Sequence, residues 1–173
     1  MLRILLLTGL VMVGQTLQAL ALEGRFTSID GGEIDLGDFR GKPVLVVNTA
    51  SLCGFAGQYE GLQNLYDLYR ERGLVVLAVP SDDFNQELAS ATEVKSYCEV
   101  TYGIDLPMTD ITHVRGKDAH PFYQAVQAET GFVPKWNFNK ILVTPDGSVG
   151  GTWGAMTKPE SAAIKQAIDA VLP

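Results

Sequence analysis

Apolar runs and helix-period stripes alternate along the chain. Val44–Asn48 and Leu74–Val79 are continuous, largely β-branched segments with the length of a buried strand. Between them, residues 57–72 carry apolar side chains at helical spacing and end before Gly73, a residue type that favours the end of a helix. The pattern therefore predicts a strand, a helix and a second strand in succession.

Three later segments also have helical spacing. Residues 92–101 place Cys98 on an apolar face, although β-branched residues in and near this segment weaken a helix. Another helix is predicted to open at Pro121. A last helix is predicted near the end of the chain, with Thr157 as its cap and Pro159 in its first turn.

Two hairpins complete the pattern. Phe26–Asp35 contains a Gly-Gly turn, and Lys140–Thr144 is joined to Val149–Trp153 by a Pro-Asp-Gly turn. Buried strands that alternate with helices imply an α/β sheet covered on both faces, and a late hairpin makes that sheet mixed. We therefore predict a thioredoxin-like fold with an N-terminal β-hairpin, while the pattern alone leaves other small α/β sandwiches open.

The N-terminus has the pattern of a secretory signal. Arg3 is followed by the short apolar run Ile4–Val13 and by Ala19–Ala21, which has the Ala-x-Ala pattern of a cleavage site. We expect residues 1–21 to be removed and residues 22–173 to form one domain, with an uncleaved anchor as the alternative. Either arrangement puts the domain outside the cytosol. A bacterial periplasm fits best, and a eukaryotic secretory route stays open.

Charge and composition exclude several classes of function. The 173 residues carry a net charge of −7, which argues against nucleic-acid binding and gives no polybasic route to a membrane surface. We therefore expect no stable membrane association once the signal is cleaved. His113 and His120 are the only histidines and lie outside any metal-ligand spacing, so no metal or other cofactor is implied.

The two cysteines are the candidate chemistry. A chain of this length buries a core without disulfides, so both thiols are available. Cys53 follows the strand Val44–Asn48 and precedes the helix of residues 57–72, a position where the helix dipole favours the thiolate, the nucleophilic form. On position alone, an inert buried cysteine stays the alternative.

Several motifs, in order, resemble the glutathione peroxidase family. They are Asn48–Phe55 with Gln58–Gln63, then Leu106–Met108, His120–Tyr123 and Trp136–Leu142. The resemblance covers essentially the whole mature chain. It implies a thioredoxin fold and the reduction of hydroperoxides.

The resemblance also implies roles for single residues. Cys53 matches the nucleophile that the peroxide oxidises to a sulfenic acid, and Trp136 and Asn137 match donors beside the sulfur. Asp83 stands where the family has a glutamine, although an ionised carboxylate there disfavours a thiolate. Asp83 is either protonated, or turned outward, or replaced by Gln86 swinging in. We expect Asp83 to stay near the sulfur.

Cys98 matches the resolving cysteine of the thioredoxin-dependent subgroup. The resemblance therefore implies a catalytic Cys53–Cys98 disulfide, a helix around Cys98 that unwinds to form it, and re-reduction by a thioredoxin-like dithiol or by glutathione. A permanent structural disulfide is the rival interpretation. The short segment Phe122–Trp136 resembles the monomeric branch, whose open site accepts lipid hydroperoxides. A redox relay that oxidises a partner protein, and a weakly active binding module, are the alternative functions.

Overall fold

The computed structural model describes residues 24–172, so the predicted signal peptide lies outside the described residues. Within them the chain forms six strands and four α-helices. No helix in this part of the chain has the length and apolar character needed to cross a membrane. The elements are β1 (Arg25–Thr27), β2 (Glu33–Asp35), β3 (Val44–Thr49), α1 (Gln58–Tyr69), β4 (Val75–Pro80), α2 (Ala91–Tyr102), α3 (Pro121–Thr130), β5 (Lys140–Val143), β6 (Val149–Trp153) and α4 (Ala162–Val171).

The main sheet has the order β4-β3-β5-β6. Strand β3 runs parallel to β4 and antiparallel to β5, and β5 pairs antiparallel with β6. Strands β1 and β2 form a separate antiparallel hairpin. The predicted mixed sheet and N-terminal hairpin of a thioredoxin-like fold are thus confirmed.

Alternate residues of the central strand β3 pack in two different apolar cores. Leu45 and Val47 join the core shared with α1, α2 and α4, whereas Val44 and Val46 join the core shared with α3 and the N-terminal hairpin. All four side chains are fully buried. Helices therefore cover both faces of the sheet, which explains why the first four residues of β3 are all apolar.

The predicted start of the last helix is wrong. Helix α4 begins at Ala162, and its cap is Ser161, whose hydroxyl accepts the backbone N–H of Ile164 at 3.4 Å. Thr157 lies in an earlier turn, where its carbonyl accepts a hydrogen bond from the Lys140 ammonium at 2.6 Å. The helix therefore begins after Pro159 and not with it.

Candidate active site

Cys53 lies in the turn between β3 and α1, at the carboxyl end of the central strand. Its side chain is buried, with 6% of the residue exposed. The sulfur accepts the backbone N–H of Phe55 at 3.4 Å, and the carbonyl of Cys53 accepts the N–H of Ala56 at 2.9 Å. The turn therefore places a backbone hydrogen-bond donor directly at the sulfur.

Asn48, the penultimate residue of β3, holds the segment Trp136–Asn139 beside this turn by hydrogen bonds. Its Nδ2 donates to the Trp136 carbonyl and its Oδ1 accepts the Asn139 N–H, both at 3.0 Å. Its own carbonyl accepts the N–H of Phe138 at 2.5 Å. Sequence reasoning gave Asn48 no role of its own, although it stands in the same motif as Cys53.

Phe138 is held in a left-handed backbone conformation, with φ of 61°. Such a conformation costs a bulky residue about 1–3 kcal/mol and persists only where the surroundings impose it. Here the hydrogen bonds to Asn48 impose it, together with the fully buried ring, which meets Tyr59 edge-on at 5.3 Å. The strained backbone fixes the direction of the neighbouring Asn137.

Asn137 meets Gln86. The Asn137 Nδ2 donates to the Gln86 Oε1 at 3.1 Å, and the fully buried Asn137 Oδ1 has no hydrogen-bond partner within residues 24–172. The carbonyl of Gln86 also accepts the N–H of Leu52, next to Cys53, at 2.9 Å. Gln86 therefore links the turn that carries Cys53 to Asn137, and it is the side-chain amide that the structure brings to this place.

Asp83 is not placed as expected. One carboxylate oxygen pairs with the Nδ1 of His113 at 2.7 Å, and the other accepts the N–H groups of Val114 and Arg115 at 2.7 and 3.1 Å. The side chain thus faces the segment 113–115, where three donors satisfy it, and not the sulfur. Of the alternatives left open by the sequence, these contacts match the outward-turned Asp83, while the Gln86 side chain contacts Asn137.

Glu87 is a buried carboxyl that sequence reasoning missed. Its Oε1 accepts the N–H groups of Ser51 and Leu88 at 2.9 and 2.8 Å, while its Oε2 has no partner in the described part of the chain. Burial raises the pKa of Glu87 above its ordinary value. The contact with Ser51 ties a second point of the Cys53 turn to the segment that follows β4.

Trp136 forms the rim of the site. The residue is 40% exposed, and its ring packs against Phe84 with centroids 5.4 Å apart. Leu52, whose N–H donates to the Gln86 carbonyl, is 61% exposed. Exposed apolar surface therefore adjoins the turn that carries Cys53.

Cys98 lies on the buried face of α2, and both cysteines are free thiols. Burial raises the pKa of the Cys98 thiol to about 11. The helix that carries it is well capped, because Ser90 accepts the N–H of Glu93 and Gly103 closes the last turn with φ of 64°. In this conformation Cys98 is a protonated, shielded thiol.

Lys140 is a fully buried cation beneath the start of α1. Its ammonium donates to the Gln58 Oε1 at 2.5 Å and to the Thr157 carbonyl, and burial lowers its pKa to about 8. Both of these acceptors are neutral. Among the described residues, no group of three or more His, Cys, Asp or Glu side chains is arranged to hold a metal ion.

Comparison with known proteins gives a consistent result. Residues 22–127 match the family model described as glutathione peroxidase. The chain is 41% identical over 138 residues to a glutathione peroxidase of Lactococcus lactis, an alignment that covers 76% of this chain and 87% of the relative. It is 40% identical over 147 residues to a hydroperoxy fatty acid reductase of Synechocystis, covering 79% and 87% respectively.

A solved structure has the same fold. The crystal structure of Trgpx in its apo form superimposes with a TM-score of 0.68 at 32% sequence identity, and the match covers 88% of this chain and 98% of that chain. The similarity therefore includes both the sequence motifs around Cys53 and the arrangement of strands and helices.

Proposed function

The chain belongs to the glutathione peroxidase family, a family of peroxidase oxidoreductases, and on that premise we propose that it reduces hydroperoxides with Cys53 as the nucleophile. The observation that carries the proposal is the Cys53 sulfur at the carboxyl end of β3, with the Phe55 N–H donated to it. The thiolate attacks one oxygen of the O–O bond. A sulfenic acid forms on Cys53, and the other oxygen leaves as an alcohol or water after it takes a proton.

Trp136 and Asn137 are proposed to assist this step as hydrogen-bond donors. An indole N–H and an amide NH₂ both stabilise negative charge, on the sulfur before attack and on the leaving oxygen during it. Gln86 orients Asn137 through their 3.1 Å contact and supplies the amide that Asp83 does not. Asp83 acts outside the reacting atoms, since its carboxylate is occupied by the segment 113–115.

Cys98 is proposed to resolve the sulfenic acid. Its sulfur attacks the Cys53 sulfur, an S–S bond forms, and the hydroxyl leaves as water with the Cys98 proton. Because Cys98 is buried in α2, this step requires α2 to open locally. The energy of such an opening is a fraction of the global stability, as is usual for single elements that move during function.

A dithiol protein of thioredoxin type is the proposed reductant, with glutathione as the second choice, because a protein disulfide is the product to be reduced. Hydrogen peroxide and fatty-acid hydroperoxides are the proposed substrates, and the Synechocystis relative named for hydroperoxy fatty acids supports the second class. The proposed location is the bacterial periplasm, supported by the sequence pattern of residues 1–21, and the proposed state is a monomer.

Steady-state consumption of hydrogen peroxide tests this function. The wild type is expected to turn over many equivalents with a reduced thioredoxin-like donor, and Cys53→Ser to turn over none. A single turnover that leaves the donor stoichiometrically oxidised would instead indicate a redox relay. Absence of any peroxide loss in the wild type would refute the peroxidase.

A further inference from the structure

Arg115 places a positive charge beside the rim of the site. Its guanidinium lies over the Phe84 ring, 4.9 Å from the centroid, and the same ring contacts Trp136 with centroids 5.4 Å apart. A cation over an aromatic face is held by the ring quadrupole. Arg115, Phe84 and Trp136 therefore lie in consecutive contact, and Trp136 is the residue before Asn137.

The backbone from which Arg115 projects is fixed by Asp83. That carboxylate accepts the N–H of Val114 and the N–H of Arg115 itself, and it also pairs with His113. The Asp83 side chain itself is only 11% exposed, while its partners His113 and Arg115 lie at the surface. The outward turn of Asp83 thus has a consequence, because it preorganises the loop that presents the cation.

The charge of Arg115 is available to a ligand. Arg25, Arg70 and Arg72 each lie within 4.0 Å of a carboxylate, but within residues 24–172 no carboxylate pairs with the Arg115 guanidinium. Asp83 bonds the backbone of Arg115 rather than its side chain. An unpaired guanidinium presents N–H donors whose spacing matches the two oxygens of a carboxylate.

An apolar surface adjoins this cation. Trp136 and Leu52 are both exposed. Leu52 donates to the Gln86 carbonyl and precedes Cys53, and Trp136 precedes Asn137, which donates to the Gln86 side chain. We propose that Arg115 binds the carboxylate of a free fatty-acid hydroperoxide whose hydrocarbon chain lies on Trp136 and Leu52 while its peroxide group reaches Cys53. This inference rests on the proposed function and adds to it the residue that recognises the acid group of one proposed substrate.

The test compares three substrates with dithiothreitol as the common reductant: a free fatty-acid hydroperoxide below its micellar concentration, its methyl ester, and hydrogen peroxide. Arg115→Gln is expected to lower kcat/KM for the free acid about fivefold, the size of one exposed ion contact, and to leave the ester and hydrogen peroxide unchanged. Arg40→Gln is the matched control, since Arg40 precedes β3 at the opposite end of the sheet. Added salt is expected to weaken the preference for the free acid in the wild type only.

Two results overturn the inference. Equal loss on acid and ester in Arg115→Gln would assign Arg115 to the stability of the rim, and unchanged kinetics on the acid would remove it from binding. Both leave the peroxidase intact, as judged by hydrogen peroxide. A wild type that reduces none of the three substrates would instead overturn the proposed function itself, and this inference with it.

Discussion

The side-chain amide of Asn137 donates to the Gln86 Oε1 at 3.1 Å. This contact joins two segments that lie 51 residues apart in the sequence, and it connects both to the turn of Cys53 because the Gln86 carbonyl accepts the Leu52 N–H. Since Asn137 is fully buried, its orientation depends on this partner. Gln86 is therefore expected to affect catalysis without touching the peroxide.

Removal of the Gln86 amide should slow peroxide reduction. Gln86→Ala leaves Asn137 without its acceptor, and kcat/KM for hydrogen peroxide is expected to fall on the order of tenfold, less than the loss of about 100-fold or more that follows removal of a direct oxyanion donor. Gln127→Ala, on the exposed face of α3, is the control and should be silent. Wild-type kinetics in Gln86→Ala would show that Asn137 needs no orientation.

The two histidines report on the position of Asp83. The hydrogen bond to Asp83 raises the pKa of His113, whereas burial lowers the pKa of His120. In an NMR titration, Asp83→Asn is expected to bring the pKa of His113 down and to leave His120 as it is. An unchanged His113 would mean that the carboxylate faces elsewhere.

Lys140 should make stability rise at alkaline pH. Its pKa is about 8 when folded and 10.5 in its ordinary state, so between these values the unfolded chain binds the extra proton and the free energy of unfolding increases with pH. The difference between wild type and Lys140→Met, measured by urea unfolding, should therefore shift in favour of the wild type across this window. Lys42→Met, at an exposed position, should track the wild type. A difference that is constant with pH would contradict a buried ammonium.

Glu87 should have the opposite effect in the acidic range. Burial raises its pKa, so the unfolded state loses the proton first, and the wild type loses stability as pH rises from the ordinary glutamate value through the raised one. Glu87→Gln keeps an acceptor for the Ser51 N–H and carries no charge. Its melting temperature relative to wild type is expected to increase over that pH range, and exposed Glu71→Gln should show no such trend. A parallel pH dependence of Glu87→Gln and wild type would place the carboxyl in water.

The strands and helices of the fold could be predicted because buried positions recur in the sequence with the spacing typical of each element. Strand β3 is apolar at every position that feeds a core, and α3 opens at the proline that suits a first helical turn. The start of α4 was predicted wrongly because both Thr157 and Ser161 suit a helix cap, and the local sequence does not choose between them.

The site was predictable by residue type but not by orientation. Cys53 and the segment with Asn137 follow from motifs, because each motif keeps its residues close in sequence. Asp83 occupies a position where an inward side chain was expected, but the donors that turn it outward come from His113 and the two residues after it, about 30 positions away. A left-handed turn at Asn85, with φ of 54°, then directs the chain to Gln86. The outward turn of Asp83 and the turn at Asn85 depend on the folded chain, and neither appears in the spacing of residues along the sequence.

The most direct test of the account is the intact mass of the protein before and after one equivalent of hydrogen peroxide. We predict that the wild type loses two hydrogen atoms as the Cys53–Cys98 disulfide forms, that Cys98→Ser gains one oxygen as the trapped sulfenic acid, and that Cys53→Ser is unchanged. An unchanged wild-type mass, or an oxygen adduct that persists in Cys53→Ser, would contradict Cys53 as the reacting sulfur.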